Sequence, residues 1–330
     1  MARASAMLLA CALQLLQGAE VIDLAGRTVQ VPEQVRRVSC IHSTPSHLLW
    51  RLAPAKQISI DTQFRDRLHT LPAAEAQRLL DLPLTGIYRG GIHREQMLAL
   101  RPDLIISLSK DPALDQEQLD FATPVLAISK DSLGDYVASI RLLGRLLGNP
   151  GDGELLASYW EERMAAVAAI AGRIPDGRRP RVYYAQRVST STVGSQTIMA
   201  SIIRQAGGRS FLDSMPGTVL QKESESVTVS LEDVLAWDPE VIIAASTAAR
   251  DDILADPRWS STAAVRSRRV HAVLRLAMLD RVQCLLGLLW TANILHPAHA
   301  SFDMVAEGRR FYRMMSLNDG IAAEQMLEAQ

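Results

Sequence analysis

Two stretches of this chain share one pattern of apolar and polar positions. Arg94-Glu95-Gln96-Met97-Leu98-Ala99-Leu100-Arg101-Pro102-Asp103-Leu104-Ile105-Ile106 returns without a gap as Leu231-Glu232-Asp233-Val234-Leu235-Ala236-Trp237-Asp238-Pro239-Glu240-Val241-Ile242-Ile243. The Glu, Leu-Ala, Pro, acid and Ile-Ile positions coincide. Each copy predicts a short helix, a proline stop and a strand. Proline cannot continue a helix and biases the residue before it away from helical geometry. The runs Leu104–Ile106 and Val241–Ile243 are apolar throughout, as strands of a parallel sheet covered on both faces must be. Further strands are predicted at Arg37–Ile41, Gln57–Ile60, Val125–Ile128, Arg181–Ala185 and Val270–Leu274, and helices near Pro45–Leu52, Ile198–Ala206 and Leu285–Ile294. Alternation of the two predicts parallel sheets with helices on both faces.

Between the copies the period becomes helical. Ser132–Leu147 carries Tyr136, Ile140, Leu143 and Leu147 at helical spacing, and Asn149-Pro150-Gly151 punctuates it. Asp152 is a candidate N-cap for a second helix, Asp152–Arg173, closed by Gly172, Pro175, Gly177 and Pro180. At 1.5 Å per residue this helix would extend about 33 Å, roughly a domain diameter. A single helix of that length makes a stiff connector, unlike a Gly/Ser linker. The expected fold class is therefore α/β, with two parallel-sheet three-layer lobes joined by one long interlobe helix. The expected divisions are a leader at 1–20, an N-terminal lobe at 21–150, the connecting helix at 151–174 and a C-terminal lobe at 175–330.

Composition narrows the function classes. The 330 residues are 48% hydrophobic, enough for two cores, and the formal net charge of −1 gives no general electrostatic case for nucleic acid or an anionic membrane. Aromatics at 5% argue against an aromatic-lined sugar or single-strand site. Arg3, the run Ala6–Leu16, apolar but for Gln14, and the small residues Gly18 and Ala19 have the layout of a short export signal, although Gln17 sits where a small residue is preferred. Leu8-Leu9-Ala10-Cys11 faintly resembles a lipoprotein cleavage site, but few residues precede it, so a lipid anchor is the lesser expectation. Beyond the leader nothing offers the ~18 unbroken apolar residues of a membrane span. Only Cys40 and Cys284 then remain, one in each lobe. They read as two buried thiols, neither a disulfide framework nor a metal site.

A family resemblance enters at particular residues. Val21-Ile22-Asp23-Leu24-Ala25-Gly26-Arg27-Thr28-Val29-Gln30-Val31-Pro32, followed by Arg37-Val38, resembles the opening of mature periplasmic iron-siderophore and cobalamin binding proteins of ABC importers. The paired Glu–Leu-Ala–Pro-acid segments are similar to that family's paired lobe segments. Gly287-Leu288-Leu289-Trp290 with His296-Pro297 resembles the C-terminal helix of its metal-chelate and metal-oxyanion branch. The resemblance implies an exported, periplasmic substrate-binding protein with a rigid interlobe helix. Such a protein captures its ligand between the lobes and delivers it to a permease dimer driven by an ATPase. It also implies permease docking through one rim glutamate per lobe, Glu95 and Glu232, whose carboxylates would meet permease arginines. Favouring a helix N-terminus through the dipole is the plainer role for each.

In open α/β sheets ligands sit beyond the carboxyl ends of the strands. Applied to the predicted strands, this rule selects His42, Ser43 and Thr44 after the first strand, Tyr88 and Arg89 beside Gly90-Gly91, and Lys110. In the second half it selects Tyr184, Arg187 with Ser189, Thr190 and Ser191, then Thr247, Arg275 and Arg281. His42 is equally a structural histidine satisfied by backbone, and the arginines are equally surface charges. His296 and His299, with Pro297 between, could suggest a metal clip; capping or surface exposure at a helix end is the stronger expectation. Cations and hydroxyls outnumber carboxylates in this set. That leans toward an anionic ligand: a ferric siderophore, a carboxylated tetrapyrrole such as haem, a cobalamin or a metal oxyanion. A bare divalent cation would want clustered His and carboxylates. No resident cofactor or protein-held metal, no nucleic acid and a monomeric state are expected. An enzyme on the same two-lobed fold, of chelatase or metal-cofactor type, is the alternative; no G-x-S-x-G, H-E-x-x-H, P-loop or C-x-x-C supports it.

Overall fold

A hairpin opens the folded chain. Strands β1 (Ala19–Ile22) and β2 (Thr28–Val31) pair antiparallel, with Val29 and Val31 buried and Thr28 and Gln30 exposed. This alternation is that of a ribbon with one covered face. In this computed structural model residues 18–87, 91–108, 114–214, 226–275, 282–318 and 328 are described. The leader through Gln17, together with Tyr88, Arg89, Gly90, Lys110 and Arg281, lies outside them. The chain divides into two compact units, Met1–Lys130 with Ala138–Leu155, and Asp131–Val137 with Leu156–Gln330. Among the described residues no helix is long and apolar enough to cross a membrane.

The first unit continues through β3 (Val38–Cys40), α1 (Ser43–Leu52), β4 (Ile60–Asp61), α2 (Thr62–Arg65), α3 (Ala73–Leu80), β5 (Leu84–Ile87) and β6 (Gly91–Ile92). Then come α4 (Arg94–Leu100), β7 (Leu104–Leu108), α5 (Leu114–Phe121) and β8 (Val125–Ile128). Strands β3, β7 and β8 form a parallel sheet in that order. Residues 104–106 and 125–128 have no exposed surface, the complete burial that their apolar runs predict. The strand expected at Gln57–Ile60 is shorter and later. Gln57 makes an isolated bridge to Val38, and the β4–β5 ladder shifts register between Ile60 and Asp61. The reason is Asp61, whose carboxylate accepts the Phe64 N–H at 3.0 Å and turns the chain into α2.

The hairpin, which the sequence pattern did not reveal as strands, closes the open edge of β8. Leu24 N–H donates to the Ala127 carbonyl at 3.0 Å, and Ala127 N–H donates to Asp23 Oδ2 at 3.1 Å. Asp23 also accepts from Ala25 N, Arg27 N and the Arg27 guanidinium, which itself reaches the Val125 carbonyl at 2.7 Å. A bare sheet edge is a template for unwanted pairing. Here an ion pair and a turn occupy it.

Helix α6 (Leu133–Leu146) and the unbroken 22-residue α7 (Pro150–Ala171) each run from one unit into the other. The long helix begins two residues before the expected Asp152 cap. Proline suits a first turn because its missing N–H would have had no partner there. Asp152 instead lies within that turn and receives two bonds from the Arg51 guanidinium, at 2.7 and 3.0 Å. Those bonds hold its carboxyl below the usual range. Asn149, just before that turn, accepts Gly153 N–H on its carbonyl at 3.0 Å and donates its side-chain amide to the Leu52 carbonyl at 2.7 Å. Gly144 of α6 and Gly153 of α7 face each other so closely that a Cβ built on either would lie 2.8 or 2.9 Å from the other's Cα.

The second unit holds β9 (Arg181–Ala185), β10 (Ser191–Thr192), α8 (Ile198–Gln205), β11 (Arg209–Ser210), β12 (Val227–Thr228), α9 (Leu231–Trp237) and β13 (Val241–Ala244). It ends with α10 (Thr247–Ala255), α11 (Ala263–Arg266), β14 (Val270–Ala272), α12 (Cys284–Leu295) and α13 (Met304–Met314). Its main sheet is parallel throughout, in the order β11-β9-β13-β14. Tyr183, Phe211, Val234, Ile242 and Trp259 lie in its core cluster.

The sequence echo persists at the level of single bonds. Arg101 ends α4 and Asp238 ends α9 in the left-handed conformation, φ 44° and 50°, each just before its proline. The acid that follows the proline then caps the start of the neighbouring strand. Asp103 accepts Arg37 N–H at 2.8 Å, and Glu240 accepts Arg181 N–H at 2.9 Å. In return Arg37 Nη2 reaches the Leu100 carbonyl and Arg181 Nε the Asp238 carbonyl, at 2.7 and 2.8 Å. Each arginine pins the C-terminus of its helix to the start of a strand. The helix therefore runs back along the sheet, with its N-terminus toward the carboxyl ends of the strands.

Candidate functional site

The carboxyl ends of the parallel strands in each unit are where the fold leaves polar groups at loop and helix starts. In the first unit β3 leads through His42 into α1. His42 is half-buried in extended conformation at the N-cap position, with no side-chain capping bond, and Thr44 behind it is buried. Ser43 Oγ donates to Gln63 Oε1 at 3.2 Å, joining the first turns of α1 and α2. Beneath them lies a group that composition and spacing did not single out. Asp61, 2% exposed, accepts the Ser46 hydroxyl at 2.6 Å and the Phe64 N–H at 3.0 Å. Burial pushes its carboxyl up, and the two hydrogen bonds oppose that rise. Cys40, fully buried alongside, has its thiol pushed well up by burial and by the Asp61 charge. The signal for Asp61 in the sequence was its place at the end of an apolar run, three residues before Phe64.

In the second unit Tyr184 belongs to β9 itself, paired with Ile243 and buried, rather than to the loop that follows. Arg187 is exposed in that loop, and Ser189 and Thr190 are half-buried. Ser191 opens β10, its hydroxyl 2.9 Å from that of Ser226. Thr247 is half-buried as the first residue of α10, after Ser246 caps the helix through Ala249 N–H at 3.2 Å. Arg275 is exposed past β14, its N–H donating to the Glu328 carbonyl at 3.1 Å. Glu95 and Glu232 are exposed, each the second residue of a seven-residue helix.

His296 corrects one expectation. It is the C-cap residue of α12, as a capping role requires, but it is buried rather than on the surface. Its Nε2 contacts the Ala206 carbonyl at 3.0 Å, and burial lowers its pKa against the backbone contacts at Ala206 and Gly207. Gly207 holds φ 82°, and a Cβ there would come within 2.8 Å of that ring nitrogen. His299 is exposed, so the two do not form a clip. Cys40 and Cys284 are both buried and form no disulfide, one in each unit. Among the described residues no three His, Cys, Asp or Glu side chains gather as a metal shell. Two surface hollows, of about 230 and 450 Å³, lie instead where β7, β8, β13 and β14 begin, lined around Arg101–Pro102 and around Glu240 with Arg269. Neither touches a candidate residue.

Comparison with known proteins supplies the family. The model of the periplasmic binding protein family matches residues 62–273, well over half of the chain. The chain belongs to that family. A cobalamin-binding protein of Halobacterium salinarum is 24% identical over 254 residues, covering 76% of this chain but only 64% of that protein's length. The molybdate-binding protein MolA of Haemophilus influenzae is 25% identical over 308 residues, 84% of each chain. Among solved structures, an ABC transporter solute-binding protein from Sulfurospirillum deleyianum superposes with a TM-score of 0.74 at 20% identity, over 90% of this chain and 94% of that one. This periplasmic binding protein thus shares the α/β fold of solute-binding proteins.

Proposed function

We propose that this chain is the periplasmic solute-binding component of an ABC importer, capturing a metal chelate or metal oxyanion and catalysing no reaction. Family membership over residues 62–273 is the observation that carries the reading. The names of the relatives, cobalamin-binding and molybdate-binding, set the ligand classes to be tried. In this reading the ligand meets the groups at the carboxyl ends of the strands: His42, Thr44, Tyr88 and Arg89 of the first unit, and Tyr184, Arg187, Thr247 and Arg275 of the second. The exposed Arg187 and Arg275 suit a ligand with anionic groups, through charge-assisted hydrogen bonds. The metal belongs to the ligand, not to the protein. A monomer delivers it to a permease dimer and its ATPase. Glu95 and Glu232 serve as docking carboxylates for permease arginines, supported by their exposure and their equivalent places in the two copies.

Titration of intrinsic tryptophan fluorescence with cyanocobalamin, haem, a ferric siderophore and molybdate tests the reading. Saturable binding of one of these is expected; no binding of any would overturn it. For docking, Glu95→Ala with Glu232→Ala should leave the affinity for that solute unchanged and abolish uptake in cells. Parallel loss of affinity would assign both carboxylates to the ligand site instead.

A further inference from the structure

The four parallel strands of the second unit's main sheet begin at one edge, and that edge is rich in arginine. Arg209 opens β11 and Arg181 opens β9, and the two are register partners across the sheet. On the other side of Arg181, Glu240 immediately precedes β13, and Arg269 immediately precedes β14. The segments that enter these strands add Arg178 and Arg179 ahead of β9, and Arg266 and Arg268 ahead of β14. Neighbouring strands lie about 4.8 Å apart, so these charges fall within a few strand widths of one another. Segments 173–181, 204–209, 238–240 and 266–269 together carry nine arginines and three carboxylates, Asp176, Asp238 and Glu240. Asp213, bonded to Arg204 at 2.9 Å, adds a fourth carboxylate.

The partners of these arginines decide how much charge is left over. Arg181 lies 3.5 Å from Asp238 Oδ2 and 3.8 Å from Glu240 Oε2, and it belongs to the framework that Arg37 and Asp103 repeat in the first unit. Arg179 Nε lies 3.2 Å from Asp176 Oδ1. Three others are held by carbonyl oxygens. Arg209 Nε donates to the Arg179 carbonyl at 3.0 Å, Arg266 Nη1 to the Ser261 carbonyl, and Arg269 Nη2 to the Ile294 and Leu295 carbonyls at 2.7 and 3.1 Å. A carbonyl fixes a guanidinium in place without neutralising it. Arg178, Arg209, Arg266 and Arg268 are exposed, so the excess positive charge faces water. Arg266 and Arg269 also line the hollow of about 450 Å³ beside Glu240. The first unit starts β8 from the uncharged Thr123-Pro124, so the arginines before β14 are additional to the shared framework. Glu232 and Asp233 stand in the first turn of α9, which points toward the carboxyl ends of the strands. The formal net charge of −1 averages over this segregation and conceals it.

We infer that the amino-terminal edge of this sheet is a docking surface for a bilayer that carries anionic lipid, with Arg178, Arg209, Arg266 and Arg268 as the headgroup contacts. Charge complementarity carries the assignment. A guanidinium fork matches two phosphate oxygens at once, and each basic side chain close to an anionic bilayer adds its own attraction. Membership of the periplasmic binding protein family places the chain beside a bilayer. Contact through this edge leaves the carboxyl ends of the same strands, with the candidate ligand groups of this unit, turned away from lipid. The inference goes beyond solute capture and does not require it.

The test is co-sedimentation of the full-length protein with vesicles of phosphatidylcholine alone, and of phosphatidylcholine mixed with phosphatidylglycerol. Binding should rise sharply when phosphatidylglycerol is present and fall as salt is added, because exposed charges are screened. Arg209→Gln and Arg268→Gln should each weaken that binding about fivefold. Arg65→Gln, which removes an exposed charge from α2 of the first unit, should leave it unchanged. Binding that does not depend on phosphatidylglycerol overturns the inference, and so does an equal loss in Arg65→Gln and Arg268→Gln. Release from the vesicles by sodium phosphate, beyond that caused by sodium chloride of equal ionic strength, would assign the arginines to free phosphate and overturn the bilayer as partner. Tighter binding of a short DNA duplex than of the mixed vesicles would overturn it in favour of nucleic acid.

Discussion

At the scale of single residues, stability depends on a few buried polar groups whose partners lie far away in sequence. Asp23 has no exposed side-chain surface and Arg27 is 18% exposed, and together they hold the hairpin against β8. Arg27 would keep Asp115 at 2.9 Å, but removing Asp23 leaves the Ala25, Arg27 and Ala127 N–H groups without their acceptor, which costs about 3 kcal/mol. Asp23→Ala should lower the unfolding free energy by that amount in urea, and a loss below about 0.5 kcal/mol would show that the turn is not what secures the edge. Two histidines govern the pH response. His271 and His296 are both held below the usual imidazole value, His271 by burial and the Arg269 charge, His296 by burial against its backbone contacts. The unfolded chain therefore takes up protons first, at pH about 6.5, and stability falls as pH drops from there toward the folded values. Asp61 acts with the opposite sign, since its raised carboxyl favours the folded state where it is protonated and loses that advantage as pH rises from about 3.8. Melting temperature measured from pH 7.5 to 5.5 should decline, and His271→Gln with His296→Gln should flatten the decline.

At the scale of elements, apolar runs and prolines made most boundaries legible, and long-range contacts decided the rest. The strands at 125–128 and 181–185 lie where the sequence placed them, because the buried stretch of a parallel strand, here 125–128 and 182–185, must be largely apolar. The hairpin was missed because its strands are four residues each, and their alternation means little without the β8 edge beneath. Asp152 has the chemistry of a cap and was read as one; the Arg51 side chain, distant in sequence, took it for an ion pair. The glycines of the paired long helices carry a sharper test. Gly151 has nothing within 4 Å of a built Cβ, so Gly151→Ala should stabilise by about 0.5–1 kcal/mol through helix propensity alone. Gly153→Ala gains the same propensity but drives a methyl to 2.9 Å from the Gly144 Cα, a backbone atom that cannot step aside cheaply. There the steric cost of about 1–3 kcal/mol wins. Thermal melts of the two variants should move in opposite directions, and equal stabilisation would mean that the helices do not meet at Gly144.

At the scale of the whole molecule, a bound solute should stabilise the folded chain by mass action, about 2.7 kcal/mol at a hundredfold excess over its dissociation constant. Calorimetry with the solute found by fluorescence should show a rise in melting temperature that grows with concentration, and a concentration-independent Tm would argue against specific capture. The sequence by itself determined the two related α/β units, the continuous helix passing from one into the other, and the equivalent placement of Glu95 and Glu232. Periodicity, proline stops and an internal echo are local signals, and they survive without knowledge of neighbours. The candidate ligand residues were legible only as positions after strands. Tertiary structure alone buried His296 against Ala206 and tied the Tyr183 hydroxyl to the Ser189 carbonyl. Those outcomes depend on which group meets which in space, and such hydrogen-bond partners leave no period in the chain.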